Sequence, residues 1–275
     1  FDVVALSRSK PVETVVSVLG SYASPADLEV LDEYEIDSVV HLAVDRDSRV
    51  FEPDRFEAED RHLRMNVLGT RTLLRFLIRR GCRRFIVASS IAVTGCVFGE
   101  AFLPRKIPIP DDHPCDAVDV YGLGKAFVED LAFFLHRENP DVDISLFRLG
   151  AVVPKNPPPP AEPDKFIEAA RGRPFAYMSL VAVSDVVEAL ATAVERPAGA
   201  GARRLNLVSS TASTPIPVRD ALRIILGERA AELDMRHYER RGYEKAPLFS
   251  IDRLREIYDF CPSVDVLSTA NPDLS

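Results

Sequence analysis

Arg84-Phe85-Ile86-Val87-Ala88-Ser89-Ser90-Ile91-Ala92-Val93-Thr94-Gly95 is the stretch that decides the fold. Phe85–Ala88 is a short, apolar, β-rich run of the kind buried on both faces of a parallel sheet. It leads straight into two hydroxyl side chains and, soon after, a glycine. Ligands of open α/β sheets gather at the carboxyl ends of the strands, which is where Ser89 and Ser90 stand. The competing reading is that both hydroxyls only cap the turn that follows.

Working outward, Val3–Leu6, Val15–Leu19, Val39–Ala43 and Ile144–Phe147 have the same texture and are predicted as further strands of the sheet core. Between them lie segments of helical period, Asn66–Arg80 with Leu73, Leu74, Leu77 and Ile78, and Tyr121–His136 with Leu131, Phe134 and Leu135. Strands alternating with helices predict an α/β fold with a doubly wound parallel sheet. Prolines at 154, 157–160 and 163 then forbid regular hydrogen bonding and mark a loop leaving the sheet. Residues 1–153 are therefore read as the core and 154–275 as a smaller mixed lobe, with 180–210 returning to the core. Helices are expected around Phe166–Ala170, over Asp185–Glu195 and from Pro217, and a strand over Arg204–Val208. Gly199-Ala200-Gly201 lies between a helix and a strand and reads as a turn.

Tyr121 and Lys125 are four residues apart, which puts phenol and ammonium on one helical face about a turn apart. A phenol is a poor base at neutral pH, and a neighbouring ammonium favours its ionised form, so the pair can shuttle a proton. A Ser at the end of Phe85–Ala88 can hydrogen-bond the same substrate oxygen.

Composition bounds what else the chain does. With 275 residues and 47% hydrophobic content a compact globular protein is expected, and a formal charge of −8 argues against a nucleic-acid partner. The basic patch Arg75, Arg79, Arg80, Arg83 and Arg84 falls at a helix end, where cations offset the negative pole of the macrodipole. The cysteines, Cys82, Cys96, Cys115 and Cys261, lack the spacing of a zinc site or a disulfide framework. A reducing, cytoplasmic compartment fits them best. No apolar run is long enough for a membrane span, and no metal is implied.

Several segments together resemble an extended short-chain dehydrogenase/reductase of the NAD-dependent epimerase/dehydratase family. They are VVHLAV (39–44), NVLGTRTLL (66–74), GCRRFIVASSIAVTG (81–95), YGLGKA (121–126), FRLGAVVP (147–154), LVAVSDVVEAL (180–190), LNLVSS (205–210) and, more loosely, FSIDRLREIYDFCPS (249–263). The resemblance implies a Rossmann sheet and an NAD(P)-dependent transfer of hydride at a secondary alcohol or ketone carbon of a sugar, sugar acid or nucleotide sugar. It implies Ser90, Tyr121 and Lys125 as the catalytic set. For the cofactor it implies Ser7, Arg8, Leu42, Ala43, Asn66, Ala88, Tyr121, Lys125, Leu149 and Val152. Asp185 matches an acidic position that is more often structural. His113, between turn formers, reads as surface structure. A homodimer packed through the two long helices is also implied, and the apolar excess at Phe127, Leu131, Phe133 and Phe134 fits it.

The departures from the family pattern are informative. The Gly-rich turn after the first strand is absent, and Phe1 already resembles the entry to the second strand, so about 30 residues of strand, turn and helix are expected upstream. Ser7-Arg8 stands where an acidic residue would bind the ribose of NAD, which leans the cofactor toward NADP. Gly124 replaces a small hydroxyl residue. Ile91 and Ala92 stand where dehydratases carry an Asp-Glu pair, which disfavours elimination of water. What remains is an epimerase or a dehydrogenase/reductase, against the alternative of a silent dinucleotide sensor or scaffold.

Overall fold

The computed structural model describes residues 1–45, 55–97, 102–153 and 162–267. In chain order the first half runs β1 (Val4–Ser7), β2 (Val16–Leu19), α1 (Pro25–Leu28), β3 (Ser38–His41), α2 (Phe56–Leu63), α3 (Gly69–Arg79) and β4 (Arg84–Ser90). Then come α4 (Val120–Glu138), β5 (Asp143–Leu149), β6 (Ala151–Val153), α5 (Pro163–Ala170), α6 (Pro174–Tyr177), β7 (Leu180–Ala182), α7 (Val183–Glu195), β8 (Gly201–Leu207), α8 (Val218–Leu226) and α9 (Asp252–Tyr258).

The main sheet is parallel, in the order β3-β4-β5-β8. Leu73, Leu74, Leu77 and Ile78 of α3 and Val128, Ala132 and Leu135 of α4 bury against Phe85, Val87, Ile144 and Leu146. On the other face Ile86, Phe147, Leu205 and Leu207 meet Val186, Ala189 and Leu190 of α7 and Leu254 and Tyr258 of α9. Helices on both faces of a parallel sheet are the doubly wound arrangement. Each such side chain removed from water contributes about 1.5–3 kcal/mol, so the continuous apolar runs of β4 and β5 fix those strands at its centre.

The outer strands depart from the expectation of full burial. β1 pairs in parallel with β2, and among the described residues no strand joins that pair to β3. Val16, Leu19 and Val40 are 53%, 58% and 41% exposed, because the covering helices centre on β4 and β5. The first long helix also begins earlier than its apolar period indicated. α2 passes into a wide π-type turn over Arg64–Leu68, closed by Gly69 N–H donating to the Arg64 carbonyl, before α3 continues.

A second core gathers Phe166, Phe175, Leu222, Ile225, Leu248 and Phe249 with Ile91, Ile107 and Ile109. Packing thus does not follow chain order: residues soon after β4 join the second core, while α9 returns to the main sheet. The residues at 154 and 157–160 lie outside the described residues. Gly199 and a bend at Ala200 lead into β8, which begins at Gly201. The basic patch is a set of ties: Arg75 to Glu138, Arg80 to Asp32, Arg83 to Asp141, and Arg84 to the Val194 carbonyl.

Candidate active site

α4 starts at Asp119, whose carboxylate accepts the Gly122 N–H at 2.9 Å and so satisfies one of the free donors of the first turn. A side chain at 122 would put its Cβ 2.8 Å from the Ala92 carbonyl, so only glycine lets the helix start press onto the turn after β4. That contact brings Tyr121 and Lys125 to the carboxyl end of β4. Lys125 is buried, its Nζ donates to the Ala88 carbonyl at 2.7 Å, and the same nitrogen lies 6.0 Å from the centre of the Tyr121 ring.

Ser90 ends β4 in extended conformation, and its Oγ accepts the Ala92 N–H at 3.2 Å. The capping reading of the sequence therefore holds for Ser90, but acceptance of one N–H leaves the hydroxyl proton and a lone pair for a ligand. Ser89 turns the other way and donates to Glu129 at 2.6 Å. Glu129 and Arg148 are fully buried and paired through two hydrogen bonds of 2.9 and 2.8 Å, and Arg204 adds a third at 2.6 Å. Burial raises the Glu129 carboxyl, but the Arg148 hydrogen bonds and charge, with Ser89 and Arg204, outweigh it and hold it below the usual range. Sequence reading missed this network; its one signal was Glu129 a helical turn after Lys125.

Asn66 organises the loop after β3. Its Oδ1 accepts the Asp45 N–H at 2.7 Å and its Nδ2 donates to the Asp45 carbonyl at 3.2 Å. The carboxamide is spent on this loop, on His62 and on the Tyr22 hydroxyl. The Asp45 carboxylate in turn binds Arg61 at 2.9 Å and Arg8 at 2.9 Å. Side-chain hydrogen bonds from Arg61 hold it below the ordinary carboxylate range against the effect of burial, and Arg8 assists. The Arg8 guanidinium behind the lean toward NADP gives Nη1 to this carboxylate and stays 46% exposed.

The other cofactor candidates stand at or after strand ends. Ser7 ends β1, Leu42 and Ala43 follow β3 and are exposed, and Leu149 pairs with Ser90 in register at the ends of β5 and β4. Val152, 41% exposed, stands on β6 just beyond, and Ala88 supplies the carbonyl for Lys125. Leu42, Ala43 and Val152 are thus apolar and exposed, while Ser90 and Lys125 are buried. A Gly-rich turn for the pyrophosphate is not among the described residues.

Two further residues are settled by their contacts. Asp185 accepts the N–H groups of Ser263 and Val264 at 3.1 Å each, which ties the C-terminal segment to α7. His113 is 4% exposed, so it is structural but not on the surface. Its Nδ1 meets the Pro114 carbonyl and its Nε2 the Arg105 N–H, which fixes a neutral ring. A cavity of about 730 Å³ opens at the opposite end of the strands, between Arg80, Arg83, Arg84 and Asp143, but its cations are the ones already paired.

Comparison with known proteins agrees with this geometry. The model of the NAD dependent epimerase/dehydratase family matches residues 21–207. The chain is 29% identical over 174 residues to the bifunctional UDP-glucose 4-epimerase and UDP-xylose 4-epimerase 1 of Pisum sativum, covering 62% of this chain and 45% of that protein. It is 27% identical over 124 residues to UDP-glucose 4-epimerase 2 of Arabidopsis thaliana, covering 45% of this chain and 32% of the other. The chain thus spans less than half the length of these relatives. Among solved structures, UDP-glucose 4-epimerase from Bifidobacterium longum in complex with NAD+ and UDP superposes with a TM-score of 0.67 at 16% identity, over 98% of this chain and 90% of that one. The Thermotoga maritima UDP-glucose 4-epimerase with UDP-glucose gives 0.65 at 19% identity, over 98% and 89%. With its central segments matched in order by the family model on a doubly wound parallel sheet, the chain belongs to the NAD dependent epimerase/dehydratase family.

Proposed function

We propose that the protein is an NAD(P)-dependent epimerase acting at a secondary alcohol carbon of a nucleotide sugar. The observation that carries this reading is the convergence of Ser90, Tyr121 and Lys125 at the carboxyl end of β4. The names of the relatives support the substrate class. A bound nicotinamide would accept and return hydride. Tyr121 takes the proton of the substrate hydroxyl and gives it back, and Lys125 favours the phenolate form that makes this possible. Ser90 hydrogen-bonds the same oxygen and orients it. Leu42, Ala43, Leu149 and Val152 would flank the cofactor and keep water from the reacting carbon.

Dehydration is disfavoured, since Ile91 and Ala92 are apolar and 2% and 1% exposed where an acid and a base would be needed. A dehydrogenase would use the same proton shuttle once and release its cofactor changed. The test is incubation with UDP-glucose and catalytic NAD. Epimer formation without net change in nicotinamide absorbance supports the epimerase, full reduction of the added NAD without epimer supports the dehydrogenase, and neither, with dinucleotide still bound, supports the silent sensor or scaffold.

We further assign residues 1–153 to cofactor binding and the lobe after 154 mainly to the substrate, with 180–210 returning to the core. Leu123, Phe127 and Phe134 of α4 remain 37%, 45% and 40% exposed, and Leu68 beside α3 is 56% exposed. This stripe supports a homodimer through the long helices, which light scattering would reveal as twice the chain mass. Among the described residues no helix is long and apolar enough to cross a membrane and no group of side chains could hold a metal. The sparse, unpaired cysteines support a cytoplasmic setting.

A further inference from the structure

His62 is 3% exposed and lies against the catalytic helix. Its ring centre is 6.1 Å from that of Tyr121, with the planes tilted by 58°. A Cβ at position 124 would stand 3.1 Å from His62 Nε2 and 3.3 Å from Cδ2, closer than side chains ordinarily pack. The imidazole therefore fills the notch on α4 between Tyr121 and Lys125 that a residue with a side chain would fill itself. Glycine inside a helix costs about 1 kcal/mol relative to alanine, so its presence at 124 asks for such a packing reason.

The imidazole is also pinned from behind. The Asn66 carboxamide is oriented by the Asp45 N–H on its oxygen, so its Nδ2 is the donor to His62 Nδ1 at 3.0 Å. This places the ring proton on Nε2, against α4. Asn66 and His62 flank the start of the wide turn over Arg64–Leu68, an element often found at functional sites. The charged groups facing the ring are Lys125 on α4, Asp119 capping that helix and Asp45 on the loop after β3. Burial, with Lys125 adding to it, lowers the His62 pKa, while the Asp45 backbone carbonyl and, more weakly, the Asp45 and Asp119 charges pull the other way.

We propose that His62 and Gly124 are a matched pair, in which the imidazole stands in for the side chain absent at 124 and fixes the position of Tyr121 relative to Lys125. His62 is thus a positioning residue: it acts on the substrate through Tyr121. The inference rests on the function proposed above, but its central test needs neither cofactor nor substrate.

The test is the ionisation of Tyr121, read as the tyrosinate absorbance difference between the protein and its Tyr121→Phe variant across pH. His62→Ala opens the notch, Gly124→Val displaces the ring, and the double variant refills the space with a branched aliphatic group. Each single change is expected to raise the Tyr121 midpoint by about one pH unit, and the double variant to restore most of it. If His62→Ala does not fold, His62→Gln, which keeps an acceptor for Asn66, carries the same expectation at a smaller size. In turnover the single variants should lose about tenfold in kcat with little change in KM for the sugar. A midpoint that stays put in both single variants, or a double variant no closer to the parent than either, overturns the pairing. Shifted midpoints in a protein that leaves UDP-glucose unchanged would sink the proposed function and leave the pairing standing.

Discussion

Lys125 Nζ donates to the carbonyl oxygen of Ala88 at 2.7 Å, so the ammonium one turn from Tyr121 is anchored to the strand that carries Ser90. In the proposed function, this contact ties the proton shuttle to the strand that carries the substrate-orienting hydroxyl.

Tyr121→Phe keeps the ring and removes the titrating oxygen. Turnover of UDP-glucose is expected to fall by roughly a hundredfold to ten-thousandfold, the range of general acid–base catalysis, with thermal stability unchanged. Lys125→Met should fall by a similar factor and also weaken dinucleotide binding, measured by isothermal titration calorimetry. Full activity in either variant would remove the pair from the mechanism.

Glu129→Gln removes one charge from a fully buried pair and leaves Arg148 with half its partner. Breaking such a pair costs about 3–5 kcal/mol, to be read from urea unfolding. Because the Glu129 carboxyl is held below its ordinary range, its contribution is present above the unfolded carboxylate pKa and is lost as pH falls through the lower folded value. The parent should lose this stability only in acid, and the variant should lack that part of the acid dependence.

Asp111 behaves in the opposite sense. Burial pushes its carboxyl up to about 6, against the Asn206 N–H that favours the charged form. Its stabilisation is complete below the unfolded value and disappears as pH rises through the folded one. Between about pH 4 and 6 the parent should lose up to about 3 kcal/mol from this group. Asp111→Asn should flatten that segment of the Tm-against-pH curve; an unchanged slope would show that the carboxyl is not the source.

Asp45→Asn leaves the backbone contacts to Asn66 in place and releases Arg8 from its ion pair. A freed guanidinium at the end of β1 should favour a 2′-phosphate, raising affinity for NADP relative to NAD by about tenfold in paired titrations at one ionic strength. No change in the ratio would mean that Arg8 does not reach the adenosine ribose.

Much of this was legible in the sequence, for physical reasons that differ by residue. The runs at Phe85–Ala88 and Ile144–Phe147 are apolar without alternation because both faces are covered, and that pattern needs no knowledge of neighbours. Tyr121 and Lys125 share one helix, so their spacing fixes their relation. Glu129 and Arg148 belong to different elements, and nothing in a helical period distinguishes a charge facing water from one facing a buried guanidinium. His62 lies 59 residues before Tyr121 and is brought to it by the packing of α2 on α4. The glycine at 124 was visible as a departure, but its reason lay in a ring contributed from elsewhere. The exposed outer strands were misread because β-rich composition reports a preference for strand and says nothing about what covers it.

The wide turn over Arg64–Leu68 is, in effect, a helix holding one residue more than its regular winding needs. Each helical residue advances the chain by about 100°, so everything upstream of the turn is rotated by that step relative to α3. The direction in which His62 looks is thus set by a count of residues as much as by their kinds. Loss of one residue there would leave composition, charge and hydrophobicity almost untouched and would swing the imidazole to another side of the helix. Chains of this fold can therefore differ at the catalytic helix through a single insertion or deletion that changes no catalytic side chain.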